Sequence, residues 1–532
     1  MEAQDSQQLM KRYTNAKGDW DNWRSLYDEC YAYTNPDRDP WPQDIAQGVR
    51  KNVQVYDITA VNSSRRLVSR LHASLTPPGE QWFGLEAGEY IKDPDAKKQL
   101  NVYLQQFTDI IFDVLNESNF DLVINEFFQD LIIGTGAMMI LESSEKGCPV
   151  KFKSVGVDVI YPEGDAYDEI NTVWRDFNNI YGRDIQRMWP KAKLTDKIRM
   201  AMESDPLAKF QLVEGVVFLP EEGQYRIIVM DVDSRGFLLD VYSKSSPWVV
   251  ARWSKASNEV GGRGPVVEAL PTIRSLNALT EEIMRNVALS TSPPWTAASD
   301  GVFNPYMFQI EPNKMIPVSR QSMGELPLKK LDVAGDVNMG NLEMNDLRQQ
   351  VKDALYDNPV RPVTAPEQTA TEVMIRQQQF MEEIGPAFGR QSVELFPKVI
   401  NRIIFILQKK GYLPPKLLVD NKNISIRYKS PLVRSADLQK IQNVQNYSSI
   451  MQQMVGPQLA LATMNLELLP EWLSDKLDVD ETLVKSPAQM VEIIQQVMQS
   501  MNPPSPTDEQ QPPNQSLANQ VNDQKALGAP AA

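Results

Sequence analysis

The stretch from Asn338 to Gly411 constrains this chain most, because three segments of different character follow one another there without a domain break. The first, Asn341 to Tyr356, carries Met344, Leu347, Val351, Ala354 and Leu355 on a narrow apolar stripe, which predicts a helix. In the second, Asn358-Pro-Val-Arg-Pro-Val-Thr-Ala-Pro-Glu-Gln368, Pro359, Pro362 and Pro366 forbid helix and favour extended backbone. The third opens after Thr369. Thr369 and Thr371 are candidate N-caps, and Glu372 suits the positive end of a helix dipole. Val373, Phe380, Ile384, Phe388, Leu395, Val399, Ile403 and Leu407 then recur four or seven residues apart, until Gly411 and Pro414-Pro415 end the pattern. An unbroken helix there is about 60 Å long at the α-helical rise, with kinks expected at Gly385-Pro386 and Pro397. Such a core is odd for a monomeric enzyme. It suits a subunit repeated around something.

At 532 residues the chain exceeds one compact core, so several subdomains are expected. With 42% hydrophobic and 23% charged residues, it is not globally disordered. The formal charge of −15 argues against a plain nucleic-acid coat, which carries a basic face, but allows a protein that DNA passes without sticking. Cys30 and Cys148 are too few for a disulfide framework or a zinc site, which points to a reducing compartment. The polar N-terminus has no signal-peptide core, and the most apolar run, Leu131–Leu141, is too short to span a bilayer. The expectation is a soluble chain with no membrane partner.

Taken in order, Asp19 to Tyr33 reads as a helix bearing Trp20, Trp23, Cys30 and Tyr31, followed by a proline- and tryptophan-containing loop to Pro42. Asp57 opens a clear helix through Ile58, Val61, Val68, Leu71 and Leu75, closed at Thr76-Pro-Pro-Gly79. Its other faces carry Arg65, Arg66 and Arg70, either a solvated face or a subunit contact. Helical patterns follow at Leu100–Leu115 and Asp121–Ile132. Short β-like runs then occupy Met138–Leu141, Val150–Phe152, Val157–Tyr161 and Thr172–Phe177. After a polar helix near Asp184–Ser204 they return at Val213–Leu219, Tyr225–Met230, Phe237–Tyr242 and Trp248–Trp253. Together they predict an antiparallel sheet flanked by helices. Val260-Gly-Gly-Arg-Gly-Pro265 reads as a flexible break, and Pro265–Leu289 as a helix. The stretch 292–336 is extended and proline-punctuated, and holds Lys314, Arg320, Lys329 and Lys330. Two helices joined by such an insertion form a stalk with a cap. Beyond Gly411 come a strand at Asn423–Tyr428 and helices from Ser435 to about Ser500, with Ser435 and Ser486 as N-caps. The proline-, glutamine- and asparagine-rich stretch from Asn502 is expected to be disordered when free.

Catalytic chemistry is hard to find. The single histidine, His72, sits among apolar residues without evident partners, as a packing residue does. Gly134-Thr-Gly136 and Gly261-Gly-Arg-Gly264 lack the lysine and spacing of a phosphate-binding loop. Asp231-Val-Asp-Ser-Arg-Gly236 begins like a calcium loop, but puts Arg235 at the fifth position and Tyr242 at the twelfth, so a hairpin turn is favoured. The acidic set Asp158, Glu163, Asp165, Asp168 and Glu169 is the one candidate for a metal-dependent nuclease, against the alternative of a solvated turn. No cofactor is expected, and the chain reads as a non-enzyme.

Four stretches carry a resemblance. They are Tyr56-Asp-Ile-Thr-Ala-Val-Asn-Ser-Ser-Arg-Arg-Leu-Val-Ser-Arg-Leu-His-Ala-Ser-Leu-Thr-Pro-Pro-Gly-Glu-Gln-Trp-Phe83, the Ile133-Gly-Thr-Gly-Ala137 turn, Gly261–Pro265 leading into Ile273-Arg-Ser-Leu-Asn-Ala-Leu279, and Thr369-Ala-Thr-Glu-Val373. By their order and spacing, over roughly residues 20–500, the chain resembles the head-to-tail connector, or portal, proteins of short-tailed bacteriophages (podoviruses). None of the four is a chemical site.

The resemblance implies an α+β, mainly helical portal fold assembled as a ring, usually a dodecamer, at one capsid vertex of the virion. Double-stranded DNA is packaged and ejected through its axial channel. Laid on this sequence, the family's wing is 1–264, with its long helix and following strand at 369–430. The stem helices are 265–291 and 337–357, and a β-containing clip is 292–336. The channel loop is 358–368, the helical crown 431–500, and a disordered tail 501–532. The resemblance implies as partners the terminase large subunit (the packaging ATPase), a tail adaptor or tail tube protein, the major capsid protein, and scaffold or internal core proteins. Candidate DNA-channel residues are Arg361, held between Pro359 and Pro362, and Lys314, Arg320, Lys329 and Lys330 of the insertion. For the insertion residues, an ordinary surface charge is the competing reading. Another ring or scaffold component of the virion is a second alternative to the portal.

Overall fold

The computed structural model describes residues 2–38, 51, 55–291, 295–297, 328–330, 337–357, 370–415, 424–456 and 468–477, less positions 89, 92, 146, 206 and 430. Two compact units divide the chain, Met1–Asp437 and Leu438–Ala532.

The first unit begins with α1, Glu2–Thr34, far longer than the helix expected at Asp19–Tyr33. Leu9, Tyr13, Ala16, Trp20, Tyr27 and Tyr31 are buried along one side of it. Its first half is too polar to announce itself, and tertiary contacts hold it. Arg12 reaches Glu163 at 3.0 Å, Lys17 reaches Asp176 at 2.8 Å, and the Trp20 indole donates to the Val157 carbonyl at 2.8 Å. Helical stability of this kind comes from packing rather than propensity. Helices α2 (Thr59–Leu75), α3 (Pro94–Glu117) and α4 (Phe120–Leu131) complete the N-terminal helical layer, and strand β1 (Phe83–Ala87) lies between α2 and α3.

Each of the eight expected β-runs meets a strand, although residues 157–159 are turn and the strand there begins at Ile160, and they form two antiparallel sheets rather than one. In the first, β2 (Thr135–Glu142) lies between β3 (Val150–Ser154) and β9 (Trp248–Arg252). The second runs β4 (Ile160–Gly164), β5 (Ile170–Tyr181), β6 (Lys209–Leu219), β7 (Gln224–Asp231) and β8 (Phe237–Ser243) in simple up-and-down order. Two short helices, α5 (Gly182–Met188) and α6 (Asp196–Ser204), replace the one expected near 184–204 and cover a small separate apolar cluster around Ile185, Trp189 and Ile198.

The glycine-rich break before Pro265 is locked in place, not flexible. Tyr27 and Thr135 hydrogen-bond Gly262, and the Gly264 amide donates to Ile133 O at 2.9 Å. A Cβ on Gly262 would sit 2.1 Å from Gly134 O, so backbone presses directly on backbone there. From this anchor runs α7 (Pro265–Thr291), then β10 (Trp295–Ala297) paired with β11 (Leu328–Lys330), then α8 (Val337–Ala354).

The single helix expected over 369–411 is two, α9 (Ala370–Glu394) and α10 (Phe396–Lys409). Pro386 is accommodated inside α9. The break falls at Leu395, with Pro397 in the first turn of α10, where its missing N–H costs nothing. A buried network holds this junction: Arg252 of β9 meets Glu394 at 2.8 Å, Arg390 joins at 2.9 Å, and Gln391 donates to Arg252 O. Strand β12 (Ile424–Tyr428) returns to pair antiparallel with β1, Phe83 opposite Tyr428. Helix α11 (Pro431–Val455) starts before Ser435, which is therefore not its cap. In the second unit the described residues include α12 (Leu469–Leu477). No helix among the described residues is long and apolar enough to cross a membrane.

Candidate functional site

Helices α7 and α8 lie side by side. Gly340 faces Ile283, Thr280 reaches Met344, and Asn277 and Arg348 meet at Asp57, so the two helices run antiparallel. Asp57 is the tie between this pair and α2. Its amide and that of Tyr56 donate to Asn277 Oδ1, its Oδ1 accepts from the Thr59 amide at 2.8 Å, and its Oδ2 takes Arg348 at 2.8 Å. Burial alone would raise this carboxyl, but Thr59 and Arg348 outweigh burial and hold it below the usual value.

The far end of α8 is the root of the proline-stiffened segment. Val351 and Leu355 are fully buried, and Tyr356 turns the chain with a φ of 55°. A left-handed tyrosine costs about 1 kcal/mol or more and needs support from its surroundings. Arg70 of α2 supplies it, donating to Tyr356 O at 2.6 Å. The next residue, Asp357, is 1% exposed. It accepts from Ser63 Oγ at 2.7 Å and from Arg66 Nη1 at 3.0 Å. Ser63, Arg66 and Arg70 stand three and four residues apart, on one face of α2. Arg70 also lies over the ring of Phe380 in α9, 5.6 Å from its centre. One guanidinium therefore touches the chain on both sides of segment 358–369.

Of the candidate channel residues, Arg361, Pro359, Pro362, Lys314 and Arg320 lie outside the described residues. Lys329 and Lys330 fall on β11, opposite Thr296 and Trp295 of β10. The residues that sequence reasoning missed are Asp57 and Asp357 as anchors. Arg66 and Arg70 stood out only as a charged face, and the helical spacing of Ser63, Arg66 and Arg70 was the one available signal.

The acidic set does not converge on a metal. Glu163 takes Arg12 and the Trp174 indole. Asp165 accepts from the amides of Tyr167 and Glu169, closing the β4–β5 turn, and Asp168 pairs with Lys255 at 2.6 Å. Among the described residues no group of three or more His, Cys, Asp or Glu is placed to hold a metal ion, which counts against the nuclease reading. The calcium-like stretch is the β7–β8 hairpin, with Asp231 accepting from Ser234 and Arg235 at a φ of 57°. His72 packs against Phe128, and burial pushes its imidazole below the usual value. What this part of the molecule does is position backbone.

The model of the family described as bacteriophage head to tail connecting protein matches residues 6–484. The chain is 20% identical over 450 residues to a probable portal protein of Bordetella phage BPP-1, covering 76% of this chain and 75% of that one. It is 22% identical over 474 residues to the portal protein of Enterobacteria phage T3, and 20% identical over 483 residues to that of Escherichia phage T7. Each match covers 86% of this chain and 85% of the other. A chain from the virion of a native gene transfer agent (GTA) particle is 12% identical, with a TM-score of 0.35 over 77% of this chain and 91% of that one; a likeness that slight carries no argument.

Proposed function

The chain belongs to the bacteriophage head to tail connecting proteins, and from that membership we propose that it is the portal of a short-tailed phage. In this reading twelve copies form a ring at one capsid vertex of the virion, and double-stranded DNA enters and leaves through the axial channel. Residues 1–264 and 369–430 make the wing, 265–291 and 337–357 the stem, 292–336 the clip, 358–368 the channel loop and 431–500 the crown, with a tail at 501–532. The clip receives the packaging ATPase and later the tail adaptor. The major capsid protein surrounds the wing, and scaffold or core proteins meet the crown. The motor is another protein, and this one is a conduit.

The observation that carries the reading is the antiparallel α7–α8 pair with the anchored root at Tyr356–Asp357. A clamp of that kind starts segment 358–368 from the same position in every copy, which a constriction built from identical loops requires. The charge supports it as well: with −15 per copy, like-charged walls keep moving DNA from adhering. Arg361, Lys314, Arg320, Lys329 and Lys330 are the cations proposed to touch phosphates as DNA passes. The experiment is to label this chain in intact virions and image them. One labelled vertex per particle is expected; label at many vertices, or on no particle, contradicts the proposal.

A further inference from the structure

Arg175 of β5 and Glu214 of β6 stand directly opposite each other in the five-stranded sheet. Both residues are buried, 8% and 4% exposed, and buried opposite charges ordinarily pair. These two leave atoms unmatched. Arg175 Nε and Glu214 Oε2 are buried, and neither has a hydrogen-bond partner among the described residues. The guanidinium turns instead toward the three-stranded sheet, where its Nη1 donates to Met139 Sδ of β2 at 3.2 Å. It lies 4.3 Å from the centre of the Phe177 ring and 5.8 Å from that of Trp248 in β9. A thioether is a weak acceptor, so this buried cation is poorly matched. Trp248 supplies a third unmatched atom. The residue is 3% exposed, and its indole Nε1 is buried without a partner among the described residues. Met139 is the register partner of Trp248, so indole and guanidinium approach one place. Burial raises the Glu214 carboxyl, and Arg175, Trp189 and Lys153 offset only part of that. The three atoms are two donors and one acceptor. Native interiors leave few such groups unsatisfied, and one water molecule has the hydrogen-bonding capacity for all three.

We propose that a buried water molecule is bound at this junction of the two sheets, accepting from Arg175 Nε and Trp248 Nε1 and donating to Glu214 Oε2. A small anion could accept the same two bonds, but it would leave the Glu214 oxygen unmatched and set a negative charge beside it. Water therefore fits the three atoms better. Lys153 of β3, exposed and opposite Met139, puts the solvent edge of the junction nearby. The bridge joins β5 and β6 of one sheet to β9 of the other. Packing between the sheets then depends on a molecule outside the chain. The proposal does not rest on the ring reading, and neither falls with the other.

The test is a crystal structure of the full-length chain at a resolution that shows ordered water. One water within about 3.2 Å of all three atoms is expected. A direct Arg175–Glu214 ion pair, side chains filling the place, or a halide revealed by anomalous scattering in crystals grown with bromide each overturn the proposal. A double-mutant cycle tests it without crystals. Trp248→Phe removes the indole donor, and Glu214→Met removes the acceptor at similar volume. Linked through one water, the two losses overlap. The double variant should be roughly fivefold more stable, as an unfolding equilibrium constant, than the product of the single losses implies. Losses that simply multiply overturn the proposal.

Discussion

The Arg66 guanidinium stands 3.0 Å from the carboxylate of Asp357, the last described residue before the proline-stiffened segment. The two are 291 positions apart, so the clamp is a product of the tertiary fold alone. Together with Asp57 and Arg348 it fastens an N-terminal helix to the helix pair at two points, one along the pair and one at the end of α8.

Asp357 should be the costlier side of the clamp to lose. Asp357→Ala leaves Ser63 and Arg66 without their acceptor at a buried position and should cost about 2 kcal/mol. Asp357→Asn keeps an acceptor for Ser63 and loses only the pairing with a half-exposed Arg66, so about 1 kcal/mol is expected. Urea unfolding of the dissociated chain measures both. Equal losses contradict the assignment.

Glu394 sets a pH dependence. Burial alone would raise its carboxyl, but the hydrogen bonds and charge of Arg252, joined by Arg390, overcome burial and hold it below the usual range. The unfolded carboxyl then binds a proton more readily than the folded one. Its stabilisation is present above the unfolded value of about 4.3 and is lost as pH falls through the lower folded value. Glu394→Gln should be less stable at pH 7 and should lose less on acidification than the unmodified chain. Parallel stability–pH curves contradict this.

The glycines offer a contrast of sign. A Cβ at Gly264 meets Ile132 O at 2.0 Å, so Gly264→Ala must move backbone and should cost about 3 kcal/mol or more. Nothing lies within 4 Å of a Cβ at Gly385 in α9, so Gly385→Ala should stabilise the dissociated chain by about 0.5–1 kcal/mol. Thermal melts of the two variants decide the matter, and similar shifts are the contrary result.

Shortening segment 358–368, or replacing Arg361 with Ala, should leave rings intact and impair retention of full-length DNA, because the segment is proposed to act at the channel and not between copies. The length of DNA recovered from particles is the readout. Normal retention in both variants sinks the proposed role.

The sequence showed local elements well and long-range pairings poorly. Short β-like runs bounded by turn residues located the strands of the two sheets, β4 only at its first two residues, and the apolar stripe located α8. The pairing of β1 with β12 could not be read, since Phe83 and Tyr428 meet only after the rest of the unit has folded. The polar first half of α1 was missed because Glu163, Asp176 and Val157 hold it, and none of them is nearby in sequence. Proline was half informative at the long helix: Pro386 is tolerated within α9, while the break does fall beside Pro397, in the first turn of α10, next to the Glu394–Arg252 pair. At the candidate site the helical spacing of Ser63, Arg66 and Arg70 was visible. What it faced was not, because nothing around Asp357 marks that aspartate as buried.

The most direct test of the central claim is the mass and symmetry of the purified full-length protein, by native mass spectrometry with electron-microscopic imaging. The account predicts closed rings of twelve copies around an open axial channel. A monomer or dimer that persists across salt and protein concentration contradicts it.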